Sequence, residues 1–188
     1  NKDGGAISIT GGASNVAVSG AVSMKSADSG ANSLASGVVS IGSGVTTATV
    51  ASASGSVSIL SGDAKGSSGI ISVSTGSSSG ARGGDISLSV GKSNVGVGGD
   101  VVIDAGLSQN AKGGNVIVTS GSSAATITGD ITVKTSDSSS YDSGNLSIAT
   151  GNSKTGGGDI TITSGSGSNG RGGAISMTVG RSTSGAGN

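Results

Sequence analysis

Pairs of aliphatic residues, with one intervening residue between the two members, recur along the whole chain. Twelve pairs are present, and their first members stand at positions 7, 22, 39, 57, 71, 86, 101, 116, 131, 146, 160 and 175. Such alternation puts both aliphatic side chains on one face of a β-strand, whereas in a helix positions i and i+2 point in different directions. The pattern therefore predicts twelve short strands, at Ile7/Ile9, Val22/Met24, Val39/Ile41, Val57/Ile59, Ile71/Val73, Ile86/Leu88, Val101/Ile103, Val116/Val118, Ile131/Val133, Leu146/Ile148, Ile160/Ile162 and Ile175/Met177.

Glycines bound nearly every pair, and the stretches between pairs are rich in Ser and Gly. The segment GGDISLSVGKS at 83–93 reappears as GGAISMTVGRS at 172–182. The pair at Val57 and the pair at Leu146 are separated by the same interval as these two segments. Because glycine supplies the conformations that tight turns require, these boundaries predict turns on both sides of each strand.

Strands at a short fixed period joined by glycine loops predict an all-β fold, a β-solenoid with a period of about 15 residues. One strand per single-period coil and two strands per double-period coil are both compatible with the spacing, and an antiparallel meander is a third possibility. The two-strand coil is favoured, because the position before Gly-Gly is mostly polar, which makes the linker a poor second core strand. In the aligned repeats this position holds Arg82, Val97, Lys112, Ile127, Asp142 and Arg171, with Thr-Gly after Ile127 and Ser-Gly after Asp142 in place of Gly-Gly.

The repeat pattern predicts a single repeat domain over 1–188, with looser repeats over 1–69 and regular repeats over 70–188. No polar capping repeat is visible at either end of the sequence. Solenoids normally end in such caps, because an open end presents unpaired backbone groups. The expectation is therefore a segment of a longer or polymerised assembly that associates with itself end to end or laterally.

Composition narrows the functional classes. The chain has 39 Gly, no Pro, Cys, His, Trp or Phe, one Tyr, and ten acidic residues balanced by ten basic ones. No basic stripe favours nucleic acid, and no apolar run reaches the roughly 20 residues of a membrane span. Without His or Cys, a Ser nucleophile lacks its usual base, so the sequence predicts a protein that is not an enzyme.

Acidic or amide residues follow the glycines in consecutive repeats. Hard oxygen ligands suit Ca²⁺, so Asp85, Asp100, Asp130 and Asp159 are candidate metal ligands. The arrangement partly resembles the calcium-binding nonapeptide repeat but differs from it in period and in its Gly–x–Asp spacing. The alternative is that Asp and Asn end turns by bonding their own backbone, which needs no cofactor.

The middle residue of each pair is small or β-branched and never charged, and most are Ser or Thr. These residues predict a flat Ser/Thr face that could hold a glycan or ice, or hydroxyls that pair across neighbouring strands. Separately, Asn145-Leu146-Ser147 fits the N-glycosylation sequon and makes Asn145 a candidate glycosylation site.

The sequence repeat G-G-x-φ-x-φ-x-x-G, where φ is aliphatic, resembles the β-solenoid repeats of secreted and cell-surface proteins of algae and other protists. It is more loosely similar to bacterial fibrous adhesin solenoids. The resemblance covers essentially the whole chain and implies an extracellular or cell-surface structural or adhesive role. The function predicted from the sequence is a structural module of a fibre or surface appendage. The alternative is a binding module for glycan, ice or calcium.

Overall fold

The computed structural model describes residues 4–30, 35–47 and 52–181. Within these ranges the chain forms no helix and no β-strand. The predicted all-β fold is therefore wrong for the described residues. The twelve strands at the aliphatic pairs are absent, and so is a solenoid with one or two strands per coil. All twelve pairs lie inside the described ranges, so each of them is an irregular segment.

The described chain bends sharply with the same period as the aliphatic pairs. From position 79 onward the chain bends once in each repeat, and each bend falls in the Ser/Gly-rich stretch between two pairs. The sequence thus sets where the chain turns, although it does not produce strands between the turns. The bends of the whole described chain lie at 15–17, 65–66, 79–81, 94–96, 109–111, 124–126, 139–141, 154–155 and 168–170.

Backbone hydrogen bonding explains why the predicted strands do not form. Four backbone-to-backbone hydrogen bonds join residues of the described ranges, and each runs from one glycine to another. A folded domain has about one internal hydrogen bond per residue, most of them in helices and sheets. Alternation along the sequence determines which face of a strand each side chain would occupy. A strand forms, however, only where a neighbouring segment completes the hydrogen-bond ladder.

The described residues also form no core. None of them is buried, and every aliphatic residue among them is at least partly exposed. The accessible surface of the chain is 18773 Å², whereas a compact protein of this mass would expose about 7,800 Å² and an extended chain about 24,800 Å². Two aliphatic residues in every repeat are too few to offset the entropy of ordering so many glycines.

The chain divides into two units, Asn1–Gly96 and Val97–Asn188. The boundary lies within the regular repeats rather than at the change from looser to regular repeats. The extreme ends of the sequence, where capping repeats were expected to be missing, lie partly outside the described residues. Among the residues that are described, no helix is long and apolar enough to cross a membrane.

Candidate functional site

Four segments of the described chain form loops that are closed at the base by two glycines. The amide of Gly114 donates a hydrogen bond of 2.9 Å to the carbonyl of Gly106, and Gly129 makes the same bond to Gly121 at 2.9 Å. In both loops the donor lies eight residues after the acceptor. The bonds from Gly20 to Gly12 (2.7 Å) and from Gly173 to Gly165 (2.8 Å) close two further loops. We call these four segments the closed loops; they have the size of compact Ω-type surface loops.

In two of the closed loops, the glycine that donates the closing hydrogen bond also lies close to a side chain at the other end of the loop. A Cβ atom built on Gly173 would lie 3.3 Å from the Cβ of Ser164, and one built on Gly114 would lie 3.3 Å from the Cβ of Ala105. Ser164 is one of the few described residues that are partly covered. The two ends of a loop therefore lie so close together that a side chain on the donor glycine would crowd the residue nine positions earlier. That residue is itself small, Ser164 in one loop and Ala105 in the other.

Serine side chains fix turns in the stretches between aliphatic pairs, both inside and outside the closed loops. Ser108 Oγ accepts a hydrogen bond of 3.1 Å from the amide of Ala111. The same bond, from the amide three residues after the serine, is made by Ser14, Ser78, Ser93, Ser123 and Ser138, at 2.9–3.2 Å. From Ser78 to Ser138 these serines recur once in each repeat. Such Ser side-chain-to-backbone bonds favour turns over regular secondary structure.

The closed loops and turns leave the aliphatic pairs in a uniform, exposed environment. The first member of a pair is 49–57% exposed in eleven of the twelve pairs, and the second member is 67–75% exposed in eleven. The exceptions are Ile7, at 92%, and Met177, at 90%. The chain thus presents a row of nearly equivalent apolar sites, one in each repeat. We call this set the aliphatic row.

The candidate metal ligands are dispersed. Asp85, Asp100, Asp130 and Asp159 are all exposed, and within the described ranges no three acidic side chains come together as a metal site. Both carboxylate oxygens of Asp85 accept hydrogen bonds from Arg82 Nη2, at 2.6 and 2.8 Å. Asp85 therefore already has a cationic partner. Calcium binding by these residues stays a prediction.

The other candidates are also accessible. Asn145 is exposed immediately before the aliphatic residue Leu146, and N-glycosylation there stays a prediction. The middle residues Ser87, Ser147 and Thr161 are exposed together with the aliphatic residues beside them. Glycan or ice binding through these hydroxyls stays a prediction too.

The comparisons with known proteins add no assignment. No family model matches the chain, and no curated protein or solved structure matches it.

The residues that sequence reasoning missed are the turn serines. The Ser/Gly-rich stretches were interpreted as linkers, although the six stretches that follow the pairs from Ile71 to Leu146 each carry a serine at a constant offset from the preceding pair. The serines at 78, 93, 108, 123, 138 and 153 share the period of the regular pairs, and Ser153 bonds the amide of Thr155 at 3.3 Å. This spacing was visible in the sequence and was a sufficient signal.

Proposed function

We propose that this chain is a structural repeat segment that assembles with further copies of itself by burying the aliphatic row. In this account the bends between the aliphatic pairs space the apolar sites along the chain. Assembly supplies the apolar contacts that a single copy lacks. The product is a fibre or layer outside the cell, and the chain carries out no catalysis.

The uncovered apolar surface is the observation that carries the proposal. In eleven of the twelve pairs the first member is 49–57% exposed, and in eleven the second member is 67–75% exposed. A specific interface between two proteins buries about 1,200–2,000 Å² in total. Fully burying a pair whose members are about half and two-thirds exposed would contribute roughly 2–4 kcal/mol. Several pairs acting together would therefore stabilise an assembly, while a single pair would not.

The composition and the repeat favour a second copy of the same chain as the binding partner. Zero net charge removes the overall repulsion that keeps charged proteins apart. A row of equivalent sites is matched by an identical row, since both have the same spacing between apolar positions. The extracellular location rests on the resemblance of the repeat to those of secreted and cell-surface proteins.

Electron microscopy and sedimentation of the full chain, with matched variants, test this function. Replacing one pair, in Ile131→Ser together with Val133→Ser, should weaken assembly because it removes one apolar site from the row. The control is Ile127→Ser, which changes an aliphatic residue that is 90% exposed but lies in a closed loop. Fibres or layers that form equally well with the pair removed would contradict the proposal.

A further inference from the structure

We infer that the dipeptide Asn169–Gly170 is a site of spontaneous chemical modification, at which Asn169 loses its side-chain amide and becomes an acidic residue. This inference goes beyond the proposed function and does not depend on assembly. Of the asparagines in the sequence, Asn169 is the one that a glycine follows. Both residues are exposed, and they lie in the bend at 168–170.

The reaction needs only the chain itself and water. The backbone nitrogen of Gly170 attacks Cγ of Asn169, a new C–N bond forms, and the proton of that nitrogen leaves with the side-chain amide as ammonia. Water then opens the resulting succinimide ring at either carbonyl carbon. One opening gives aspartate, and the other gives isoaspartate, in which the backbone continues through the side-chain carbon. Asparagine is for this reason among the thermally labile residues.

Gly170 favours this attack in two ways. Glycine has no Cβ, so its backbone reaches conformations that other residues rarely adopt, and no side chain shields its nitrogen. In addition, the amide of Gly170 donates no hydrogen bond to any residue of the described ranges. The attacking nitrogen therefore has no bond to break before it reacts.

The bend that contains the dipeptide also differs from the earlier bends of the regular repeats. At 79–81, 94–96, 109–111, 124–126, 139–141 and 154–155, a serine Oγ accepts a hydrogen bond from a backbone amide of the bend. At 168–170 no side chain of the described chain makes such a bond. Gly167 stands at the offset from the preceding aliphatic pair at which the six earlier repeats carry the turn serine. Without that bond, the backbone can rotate into the geometry that the attack requires.

Two other asparagines lie in comparable bends and lack one of these features. Asn94 precedes a valine, whose β-branched side chain is stiff and crowds the backbone. Asn110 precedes Ala111, and the amide of Ala111 already donates a hydrogen bond of 3.1 Å to Ser108 Oγ. The nitrogen that would attack Asn110 is thus held in the turn. Both asparagines should react more slowly than Asn169.

Incubation of the full chain at mildly alkaline pH, followed by peptide mass mapping, tests the site. The reaction exchanges NH₂ for OH and adds one negative charge to a chain whose acidic and basic residues balance. The mass change should accumulate at Asn169 before it does at Asn94 or Asn110, and ion exchange should separate the product from the parent chain. Equal rates at Asn94 and Asn169 would overturn the inference. An intact Asn169 after a free peptide of residues 168–172 has converted would overturn it too.

Gly170→Ala is the matched variant for the role of the glycine. A Cβ at this position would meet nothing within 4 Å, and the backbone there is not left-handed, so alanine fits the bend as it stands. The variant should slow the loss of the amide at Asn169 by about ten-fold or more, which corresponds to about 1.4 kcal/mol or more of activation free energy. An unchanged rate would show that the glycine does not activate the site and would overturn the inference.

A second variant tests the bend itself. Ala111→Gly gives Asn110 a following glycine while the bond from that amide to Ser108 remains. Asn110 should then still react about two- to ten-fold more slowly than Asn169, the effect expected of one such hydrogen bond. Adding Ser108→Ala should remove the difference. If Asn110 reacts as fast as Asn169 while Ser108 is present, the turn bond does not protect, and the assignment of the site to its unbonded bend is wrong.

Discussion

The amide of Gly114 bonds the carbonyl of Gly106, and the chain between them turns on the bond from Ala111 to Ser108. These two bonds define the local structure of this repeat. The glycine bond closes the base of the loop, while the serine bond fixes the turn inside it. Neither bond buries an apolar side chain, so local order in this protein is separate from the burial that stabilises an ordinary domain.

A monomeric sample should lack a cooperative unfolding transition. The described residues have neither a core nor a hydrogen-bonded ladder to lose, so heating removes no large set of contacts at once. Far-ultraviolet circular dichroism should show no β-sheet spectrum, and calorimetry should show no heat-absorption peak. A sharp transition in a dilute sample that sediments as a monomer would contradict this description.

The turn serines should be locally stabilising, and two adjacent serines allow a matched comparison. Ser123 Oγ accepts a hydrogen bond of 2.9 Å from the amide of Thr126. Ser123→Ala should therefore speed amide exchange at Thr126 by about two- to ten-fold, the effect of losing roughly 0.5–1.5 kcal/mol. Ser122→Ala is the control and should leave that rate unchanged. Equal rates in the two variants would show that the serine does not hold the turn.

Two neighbouring glycines should respond differently to a methyl group. A Cβ on Gly114 would lie 3.1 Å from the backbone nitrogen of Gly106, while one on Gly113 would come no closer than 3.5 Å to the carbonyl oxygen of Gly106. Gly114→Ala should therefore open the base of the loop and expose the amide at position 114 to exchange. Gly113→Ala should keep the bond. Nuclear magnetic resonance measures the exchange of the amide at position 114 in both variants. Protection of this amide in both variants would contradict the expectation.

Assembly should respond to temperature and to salts as a hydrophobic association does. Burial of apolar surface weakens on cooling and strengthens in sulfate, which is excluded from protein surfaces. Light scattering should therefore fall on cooling and rise with added sulfate. Assembly that strengthens in the cold would instead indicate that hydrogen bonds or ion pairs dominate the contact.

The sequence predicted the period of this chain better than its fold. Pairs such as Val101/Ile103 and Val116/Val118 have the same period as the bends. The turns were expected at the glycines on both sides of each pair, whereas the chain bends once in each repeat from position 79, at segments such as 109–111 and 124–126 that contain no glycine. The strands were wrong because alternation determines the direction of side chains, whereas strands require a partner segment. The bond from Gly114 to Gly106 closes the loop without continuing into a ladder along these pairs.

The candidate site was only partly predictable for a related reason. The aliphatic pairs were expected to share one face of a strand, and the structure leaves them exposed on irregular segments because no neighbouring segment covers them. The turn role of Ser108 was missed, although its recurrence in each repeat was visible in the sequence. The ion pair between Arg82 and Asp85 depends on local geometry, since Arg171 occupies the equivalent position but has Ala174 three residues later.

Sedimentation velocity over a wide range of concentrations, with a dye that fluoresces on apolar surfaces in the same samples, measures whether association of copies covers the aliphatic row. The account predicts a dye-binding monomer at low concentration, and larger species that bind less dye per chain as concentration rises. This result would show that the aliphatic row is buried between copies. A single monomeric species with constant dye binding throughout would contradict the account.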